Sequence, residues 1–165
     1  MLEELRQIAG ICDDWGATLI VADHYHLLDR ADVQGVHIEN MEADFKSIRA
    51  AITDERTLGA SANSIEDIQR ISDSGAVDYI GCGPFHVTKT KPNNYPLLGP
   101  EGYRRIIREM QKMQISIPLL AVGGIKTEDV EELLSTGIWG IAVSSAVNLA
   151  DDPGQALKDF YKKIY

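Results

Sequence analysis

The stretch that decides the fold is Tyr79-Ile-Gly-Cys-Gly-Pro-Phe-His-Val-Thr-Lys-Thr-Lys-Pro92. Its short apolar run predicts a strand that is covered on both faces, and the Gly-Pro pair that follows predicts a turn. Two hydroxyl groups and two ammonium groups then share one loop, and a lysine acts there as a mobile point charge. The stretch therefore predicts a strand that leads into a pyrophosphate-binding loop. The alternative is a solvated basic surface loop.

The same pattern of strand, loop and helix repeats on both sides of this stretch. Six strands are predicted, at Thr18–Ala22, Gly35–Ile38, Thr57–Ser61, Tyr79–Cys82, Leu119–Val122 and Gly140–Val143. Six helices are predicted, at Leu2–Trp15, Glu42–Ile52, Ser64–Ser74, Pro100–Met113, Thr127–Ser135 and Asp152–Ile164. Strands that alternate with helices indicate parallel βαβ units. The chain is predicted to be a single α/β domain over residues 1–165.

The number of strands leaves two architectures open. A complete eight-stranded barrel takes about 250 residues, and six strands with a leading helix fall short of it. On periodicity alone, an open six-stranded sheet of the flavodoxin type is the rival architecture. Both architectures place their chemistry in the loops that follow the carboxyl ends of the strands.

Composition excludes some classes of partner and says little about the substrate. The chain has 165 residues, of which 44% are hydrophobic, and a net charge of -9. A strongly acidic protein is a poor partner for nucleic acid or an anionic membrane, since both need a basic surface. No apolar run is long enough to span a bilayer, and the first residues do not resemble a secretory signal. Two cysteines without a metal-ligand spacing are consistent with the expected cytoplasmic location.

Two further strand-to-helix loops have the composition of phosphate sites. Ala121-Val-Gly-Gly-Ile places paired glycines where a helix begins, and Gly140-Ile-Ala-Val-Ser-Ser-Ala runs from a strand into two serines. Backbone amides beside glycine approach an anion closely, and barrels commonly bind phosphate with their last two loops. The alternative is a pair of tight turns that need glycine for backbone reasons only.

Acidic residues and histidines carry weaker signals. Asp23 follows the first strand, and Glu39 or Glu42 follows the second, so a pair of carboxylates is a candidate Mg²⁺ site. With 25 acidic residues in the chain, chance placement is the alternative. His37 lies inside a strand and is interpreted as a packed or hydrogen-bonded imidazole. No Ser–His–Asp or Cys–His pairing is visible in the sequence, so nucleophilic catalysis has no support.

Several ordered blocks resemble the thiamine-phosphate synthase family over about residues 11–153. The most specific block is Asp78-Tyr-Ile-Gly-Cys-Gly-Pro-Phe with Thr88, Thr90 and Lys91, followed by Pro96-Leu-Leu-Gly-Pro-Glu-Gly-Tyr. Gln34-Gly-Val-His-Ile, Leu120-Ala-Val-Gly-Gly-Ile and Ala142-Val-Ser-Ser-Ala also resemble family blocks. The resemblance implies a TIM (β/α)8-type barrel, truncated here to six strands at the N-terminus. It also implies that the substrates bind at the carboxyl ends of the strands.

The resemblance implies a reaction and a set of site residues. A transferase of this family joins hydroxymethylpyrimidine pyrophosphate to hydroxyethylthiazole phosphate and releases pyrophosphate, with Mg²⁺ bound to the leaving group. By position, the implied metal ligands are Asp23 and Glu42. Glu42 stands where the family usually has aspartate. The implied catalytic residues are Ser61 and Lys91. The implied substrate-binding residues share loops that follow strands: Thr88, Thr90, Lys91, Gly124, Ser144 and Ser145.

The resemblance also implies that the family's first strand, first helix and second strand have no counterpart here. Those elements include a Gln-x-Arg-x-Lys segment that contacts the pyrimidine pyrophosphate. A six-stranded sheet has exposed edges at its first and last strands, which predicts either a homodimer that covers them or a marginally stable monomer. The alternative functions are a thiazole tautomerase of the same family, a non-catalytic binder of phosphate ligands, and another phosphate-binding barrel such as a tryptophan-pathway isomerase.

Overall fold

Strands and helices alternate along the chain in a computed structural model, which describes residues 1–88 and 94–165. The strands are β1 Ile20–Ala22, β2 Gly35–Ile38, β3 Thr57–Ala62, β4 Tyr79–Cys82, β5 Leu119–Val122 and β6 Gly140–Ala142. The helices are α1 Leu2–Asp14, α2 Leu28–Ala31, α3 Phe45–Ile52, α4 Ile65–Ser74, α5 Gly99–Lys112, α6 Val130–Ser135, α7 Ser145–Asn148 and α8 Pro153–Ile164. Short 3₁₀ turns, Tyr25–Leu27 and Thr127–Asp129, precede α2 and α6.

The strand order separates the two architectures that periodicity left open. The six strands belong to one sheet in the order β1-β2-β3-β4-β5-β6, and β1–β2, β2–β3 and β5–β6 pair in parallel. A flavodoxin-type sheet instead places β1 between β2 and β3. The sequential order is that of a TIM-type barrel, so the predicted α/β fold with six barrel strands is confirmed.

The chain forms two compact units, which consist of residues 1–61 with 70–80 and residues 62–69 with 81–165. The first unit buries Phe45 together with aliphatic side chains that include Leu28, Val33, Val36, Leu58 and Ile71. The second unit buries aromatic as well as aliphatic side chains, including Phe85, Tyr103, Leu119, Leu133 and Phe160. None of the helices in the described segments is both long and apolar enough to cross a membrane.

An arginine network fixes α3 in the first unit. The Arg49 guanidinium contacts the Asp78 carboxylate at 2.6 Å and donates to the carbonyl oxygens of Ala76, Thr53 and Arg56. Asp78 also accepts the backbone N–H of Leu58, the second residue of β3, at 2.7 Å. Since a guanidinium presents five donors in a fixed plane, one side chain satisfies the carbonyl groups of three loop residues.

Capping side chains and left-handed glycines define several helix ends. Ser64 and Asp67 exchange hydrogen bonds as a capping box, because Asp67 N–H donates to Ser64 Oγ and Ser64 N–H donates to the Asp67 carboxylate. Gly75 and Gly137, which follow α4 and α6, have φ of 63° and 96°. Both are therefore the left-handed residues that end helices.

Three local predictions were wrong. The third helix begins at Phe45 rather than Glu42, because the Asp44 side chain accepts the N–H of Ser47 and caps the helix there. The Ser47 hydroxyl also donates to this carboxylate, and this hydrogen bond together with that of the N–H lowers the pKa of Asp44. The helix predicted over Thr127–Ser135 becomes α-helical only at Val130, because Thr127–Asp129 form a 3₁₀ turn in which the Asp129 carboxylate accepts the N–H of Lys126. Both four-residue helices, α2 and α7, were missed because one turn shows no apolar period.

Candidate functional site

Strand alternation places three polar side chains of the first unit on one face of the sheet. His37 in β2 is paired in register with Gly59 in β3, and Ser61 lies two residues further along β3. Because side chains alternate with a period of two, Gly59 and Ser61 point to the same face. Tyr79 begins β4. A β-carbon at Gly59 would overlap the Tyr79 ring, so the tyrosine crosses β3 over a residue that has no side chain.

These side chains form a continuous hydrogen-bonded chain. The Tyr79 hydroxyl lies 3.0 Å from Nδ1 of His37, and Nε2 of His37 lies 3.0 Å from Oγ of Ser61. The histidine and tyrosine rings are tilted by 31° with centroids 5.5 Å apart. Burial raises the pKa of Tyr79, so its hydroxyl keeps its proton at neutral pH. The interpretation of His37 as a hydrogen-bonded imidazole is therefore confirmed, and the residue predicted to be catalytic, Ser61, is its partner.

The predicted metal ligands lie in two loops of the first unit. Asp23 follows β1 with φ of 59°, and its Oδ1 accepts the backbone N–H of Glu39 at 2.8 Å. Asp23 as a whole is exposed to solvent. Glu42 lies in the turn before α3, with its side chain 81% exposed and 3.2 Å from the guanidinium of Arg70. Both carboxylates are therefore open to solvent.

The donor set fits a substrate-assisted magnesium site better than a site built by the protein alone. Within residues 1–88 and 94–165, there is no cluster of three or more His, Cys, Asp or Glu side chains arranged to hold a metal ion. Magnesium keeps several waters and commonly uses one or two carboxylates together with substrate phosphates. Asp23 meets that requirement directly, whereas Glu42 would have to share its carboxylate with Arg70.

In the second unit, the loops after β4 and β5 are joined by their backbones. Phe85 N–H donates to the carbonyl oxygen of Val122 at 2.8 Å, and His86 N–H donates to that of Gly123 at 2.9 Å. Gly123 and Gly124 have φ of 94° and 69°, a region in which a side chain is strained. A β-carbon at Gly124 would lie 2.9 Å from both the β-carbon of His86 and the carbonyl oxygen of Val87. Glycine is therefore required for the close approach of the two loops.

The remaining predicted site residues of this unit follow the same strands. Thr88 is the next residue after Val87 and is half-buried. Ser144 and Ser145 lie where β6 passes into α7, with Ser144 exposed and Ser145 half-buried. The Asn148 side-chain amide lies 3.4 Å from Oγ of Ser144. Thr90 and Lys91 lie outside the described residues. The structure thus brings the segment that leads to Thr88 against Gly124.

Sequence reasoning missed the role of Tyr79 and the link from His37 to Ser61. The alternation of Thr57-Leu-Gly-Ala-Ser does place Gly59 and Ser61 on one face. The pairing of His37 with Gly59 depends on the register of β2 against β3, which the sequence does not state. A glycine two residues before a polar residue in a buried strand is the one signal that was available.

Comparison with known proteins finds one family over most of the chain. Residues 1–147 match the family model described as thiamine monophosphate synthase. A thiamine-phosphate synthase of Phocaeicola vulgatus is 40% identical over 150 residues, which cover 91% of this chain and 72% of that protein. A thiamine-phosphate synthase of Flavobacterium psychrophilum is 35% identical over 158 residues, which cover 95% of this chain and 76% of that protein.

Solved structures agree with these sequence matches. The thiamine phosphate pyrophosphorylase of Pyrococcus furiosus superposes with a TM-score of 0.82 at 27% identity, and the match covers 99% of this chain and 77% of that one. An orotidine 5'-phosphate decarboxylase of Pyrococcus horikoshii superposes with a TM-score of 0.68 at 14% identity, which shows a shared fold alone. The family resemblance drawn from the sequence is confirmed.

Proposed function

Because the chain belongs to the thiamine monophosphate synthase family, we propose that it is a thiamine-phosphate synthase, a transferase of thiamine biosynthesis. Its substrates would be hydroxymethylpyrimidine pyrophosphate and hydroxyethylthiazole phosphate. The observation that carries the proposal is the family match over residues 1–147, within which Ser61 takes part in a hydrogen-bonded chain with His37.

The proposed reaction exchanges one bond for another at the methylene carbon of the pyrimidine. The bond from this carbon to the pyrophosphate oxygen breaks, and pyrophosphate leaves with the electron pair. The thiazole nitrogen then donates its lone pair to the methylene cation, which forms the new carbon–nitrogen bond. Such a reaction depends on the stabilisation of the leaving-group charge more than on a strong base. A hydroxyl donor such as Ser61 suits that requirement.

We assign the acidic loops of the first unit to the metal ion. Mg²⁺ would neutralise charge on the departing pyrophosphate. Asp23 would hold it, with Glu42 as the second ligand, and both carboxylates are exposed. Substrate phosphate oxygens and waters would complete the coordination, in keeping with the small number of protein ligands that magnesium uses.

We assign the loops of the second unit to phosphate groups of the substrates. Gly124, Ser144 and Ser145 would bind the thiazole phosphate, because glycine lets backbone amides approach an anion and serine adds a hydroxyl donor. Thr88, Thr90 and Lys91 would bind the pyrophosphate, on the strength of the family resemblance. Lys91 would stabilise the leaving group as a cation.

We further propose a homodimer in the cytoplasm. β1 and β6 are the first and last strands in the order of the sheet. In the first unit, Ile11 in α1 and Trp15 directly after α1 are exposed, with exposed fractions of 61% and 85%. Exposed strand edges and apolar side chains favour association with a second copy. Cys12 and Cys82 are free thiols, the state that a reducing cytosol maintains. Sedimentation velocity tests the dimer, and a single monomeric species at micromolar concentration would contradict it.

The experiment that tests the function is the formation of thiamine phosphate by the purified chain from both substrates, with and without Mg²⁺. We expect product only with Mg²⁺ and release of one pyrophosphate per product. The variant Asp23→Asn should need at least about tenfold more Mg²⁺, which corresponds to about 1.4 kcal/mol. The matched control is Asp14→Asn at the exposed end of α1.

Two other outcomes would replace the proposal. Binding of the thiazole phosphate with conversion of its ring and no coupling would indicate a thiazole tautomerase. Binding of phosphate ligands with no chemistry at all would indicate a non-catalytic relative.

A further inference from the structure

We propose that Tyr79 is a positioning residue that fixes the tautomer of His37, so that His37 donates to Ser61 and the Ser61 proton is left for a substrate atom. The inference rests on the proposed function, since it assigns Ser61 a donor role in that reaction. It concerns contacts that lie entirely within the first unit.

The direction of the first hydrogen bond follows from what the Tyr79 hydroxyl can reach. In the parts of the chain that the structure describes, its hydrogen-bond partner is Nδ1 of His37, at 3.0 Å. Burial raises the pKa of Tyr79, so the phenol carries a proton and has one to donate. In this part-buried site a hydroxyl proton that points at an acceptor is favoured, so we place the Tyr79 proton toward Nδ1 of His37.

The direction of the second hydrogen bond follows from the first. In a neutral imidazole one nitrogen donates and the other accepts, and the bond made by one nitrogen sets the role of the other. If Nδ1 accepts from Tyr79, then the ring proton is on Nε2, and Nε2 donates to Oγ of Ser61 at 3.0 Å. A serine hydroxyl has one proton and two lone pairs. Ser61 therefore accepts from His37 and still has its own proton to donate.

The packing shows why this arrangement is specific to these strands. Tyr79 is in β4 and His37 is in β2, so the strand β3 lies between them in the order of the sheet. The tyrosine ring reaches His37 because Gly59 is the β3 residue beneath it. Any larger residue at that position would push the ring away and break the link. The chain of contacts thus requires Gly59 and Tyr79 together.

The first measurement is the ¹⁵N spectrum of the His37 ring in the wild-type protein without substrates. We expect the protonated nitrogen to be Nε2 and the unprotonated nitrogen to be Nδ1. In Tyr79→Phe, the preference for this tautomer should be lost. The matched control is Tyr103→Phe, which removes the hydroxyl of a tyrosine in the second unit that donates to the carbonyl oxygen of Cys82 at 2.7 Å. It should leave the His37 signals unchanged.

The second measurement is steady-state kinetics. We expect Tyr79→Phe to lower kcat about tenfold with little change in KM for the thiazole phosphate, which corresponds to about 1.4 kcal/mol. His37→Gln, which keeps an N–H donor for Ser61, should retain more activity than His37→Ala. A role of Tyr79 in packing alone would lower the melting temperature without moving the tautomer or kcat.

The outcomes separate this inference from the function on which it rests. A proton on Nδ1, or on both ring nitrogens, in the wild-type protein would overturn the inference even if thiamine phosphate is formed. An unchanged kcat and ¹⁵N spectrum in a folded Tyr79→Phe would also overturn it. A proton on Nε2 in a protein that makes no thiamine phosphate would support the hydrogen-bond assignment and overturn the proposed function.

Discussion

The two units of the chain build their candidate site residues in different ways. In the first unit, side chains from three strands hold one another, from Tyr79 through His37 to Ser61. In the second unit, backbone groups hold the loops, with N–H groups of Phe85 and His86 bonded to carbonyl oxygens near Gly123. A network of side-chain hydrogen bonds is disrupted when one of its donor or acceptor atoms is removed. A site built from backbone groups is disrupted when a substitution forbids the backbone conformation that it needs. Substitutions should therefore affect the two units differently.

The largest effect on activity is expected from substitutions of Ser61 and Ser145, which are assigned to different parts of the reaction. Ser61→Ala removes the end of the side-chain chain, and we expect kcat to fall about 100-fold, the cost of one well-placed donor. Ser145→Ala removes a hydroxyl assigned to the thiazole phosphate. We expect KM for that substrate to rise about tenfold, because a hydrogen bond to a charged group contributes about 1.5–3 kcal/mol.

Steady-state kinetics with each substrate varied in turn measures this contrast. The matched control is Ser135→Ala, which removes an exposed hydroxyl that donates to the carbonyl oxygen of Glu132 in α6. If both Ser61→Ala and Ser145→Ala raised KM and left kcat unchanged, then Ser61 would only bind substrate, as Ser145 does, and its assigned role in the reaction would be wrong.

The next effect concerns the glycine conformations of the second unit. In Gly124→Ala, the new β-carbon would meet Val87 and His86 at 2.9 Å, at a residue whose φ is 69°. We expect a loss of about 1–3 kcal/mol in the free energy of unfolding and weaker binding of the thiazole phosphate. Denaturant titration and isothermal titration calorimetry measure the two effects.

The control for this variant is a glycine with open space around it. Gly10 lies inside α1 with no atom near the position of a β-carbon. Gly10→Ala should stabilise the protein by about 0.5–1 kcal/mol, since glycine in a helix interior is unfavourable. If Gly124→Ala were as stable as the wild type, then the loops would not depend on the glycine conformation.

The sequence predicted the elements better than the contacts between them. The strands and the long helices were found because apolar periodicity and capping residues such as Ser64 are local signals. Positions next to strand ends, such as Asp23 and Gly124, were proposed as site candidates from the same kind of local signal. The link from Tyr79 to His37 was missed because it depends on strand register, and the ion pair of Glu42 with Arg70 because it joins distant segments. Local order is encoded within a few residues, while a site is assembled from several strands.

The last comparison, in which no change in activity is involved, concerns the two thiols, one in each unit. Cys82 in β4 has no exposed surface, and burial raises the pKa of its thiol to about 12. Since the thiolate is the reactive form, its population at neutral pH is about 3,000-fold lower than that of a thiol with an ordinary pKa of about 8.5. Cys12, on α1 of the first unit, is partly exposed. Under native conditions we expect an alkylating reagent to label Cys12 and to leave Cys82 unlabelled.

Mass spectrometry of the labelled protein against time measures both rates, and Cys12→Ser isolates the slower one. Labelling of Cys82 should require opening of the second unit, so its rate should rise with denaturant while that of Cys12 changes little. The Tyr103 hydroxyl donates to the carbonyl oxygen of Cys82, so Tyr103→Phe should speed the labelling of Cys82 by removing a contact that holds β4 to α5. Equal labelling rates for the two thiols in native buffer would mean that the backbone-built unit opens as readily as the exposed surface of α1. The second unit, which is held by close backbone packing, would then open no less readily than the first unit, which is held by side chains.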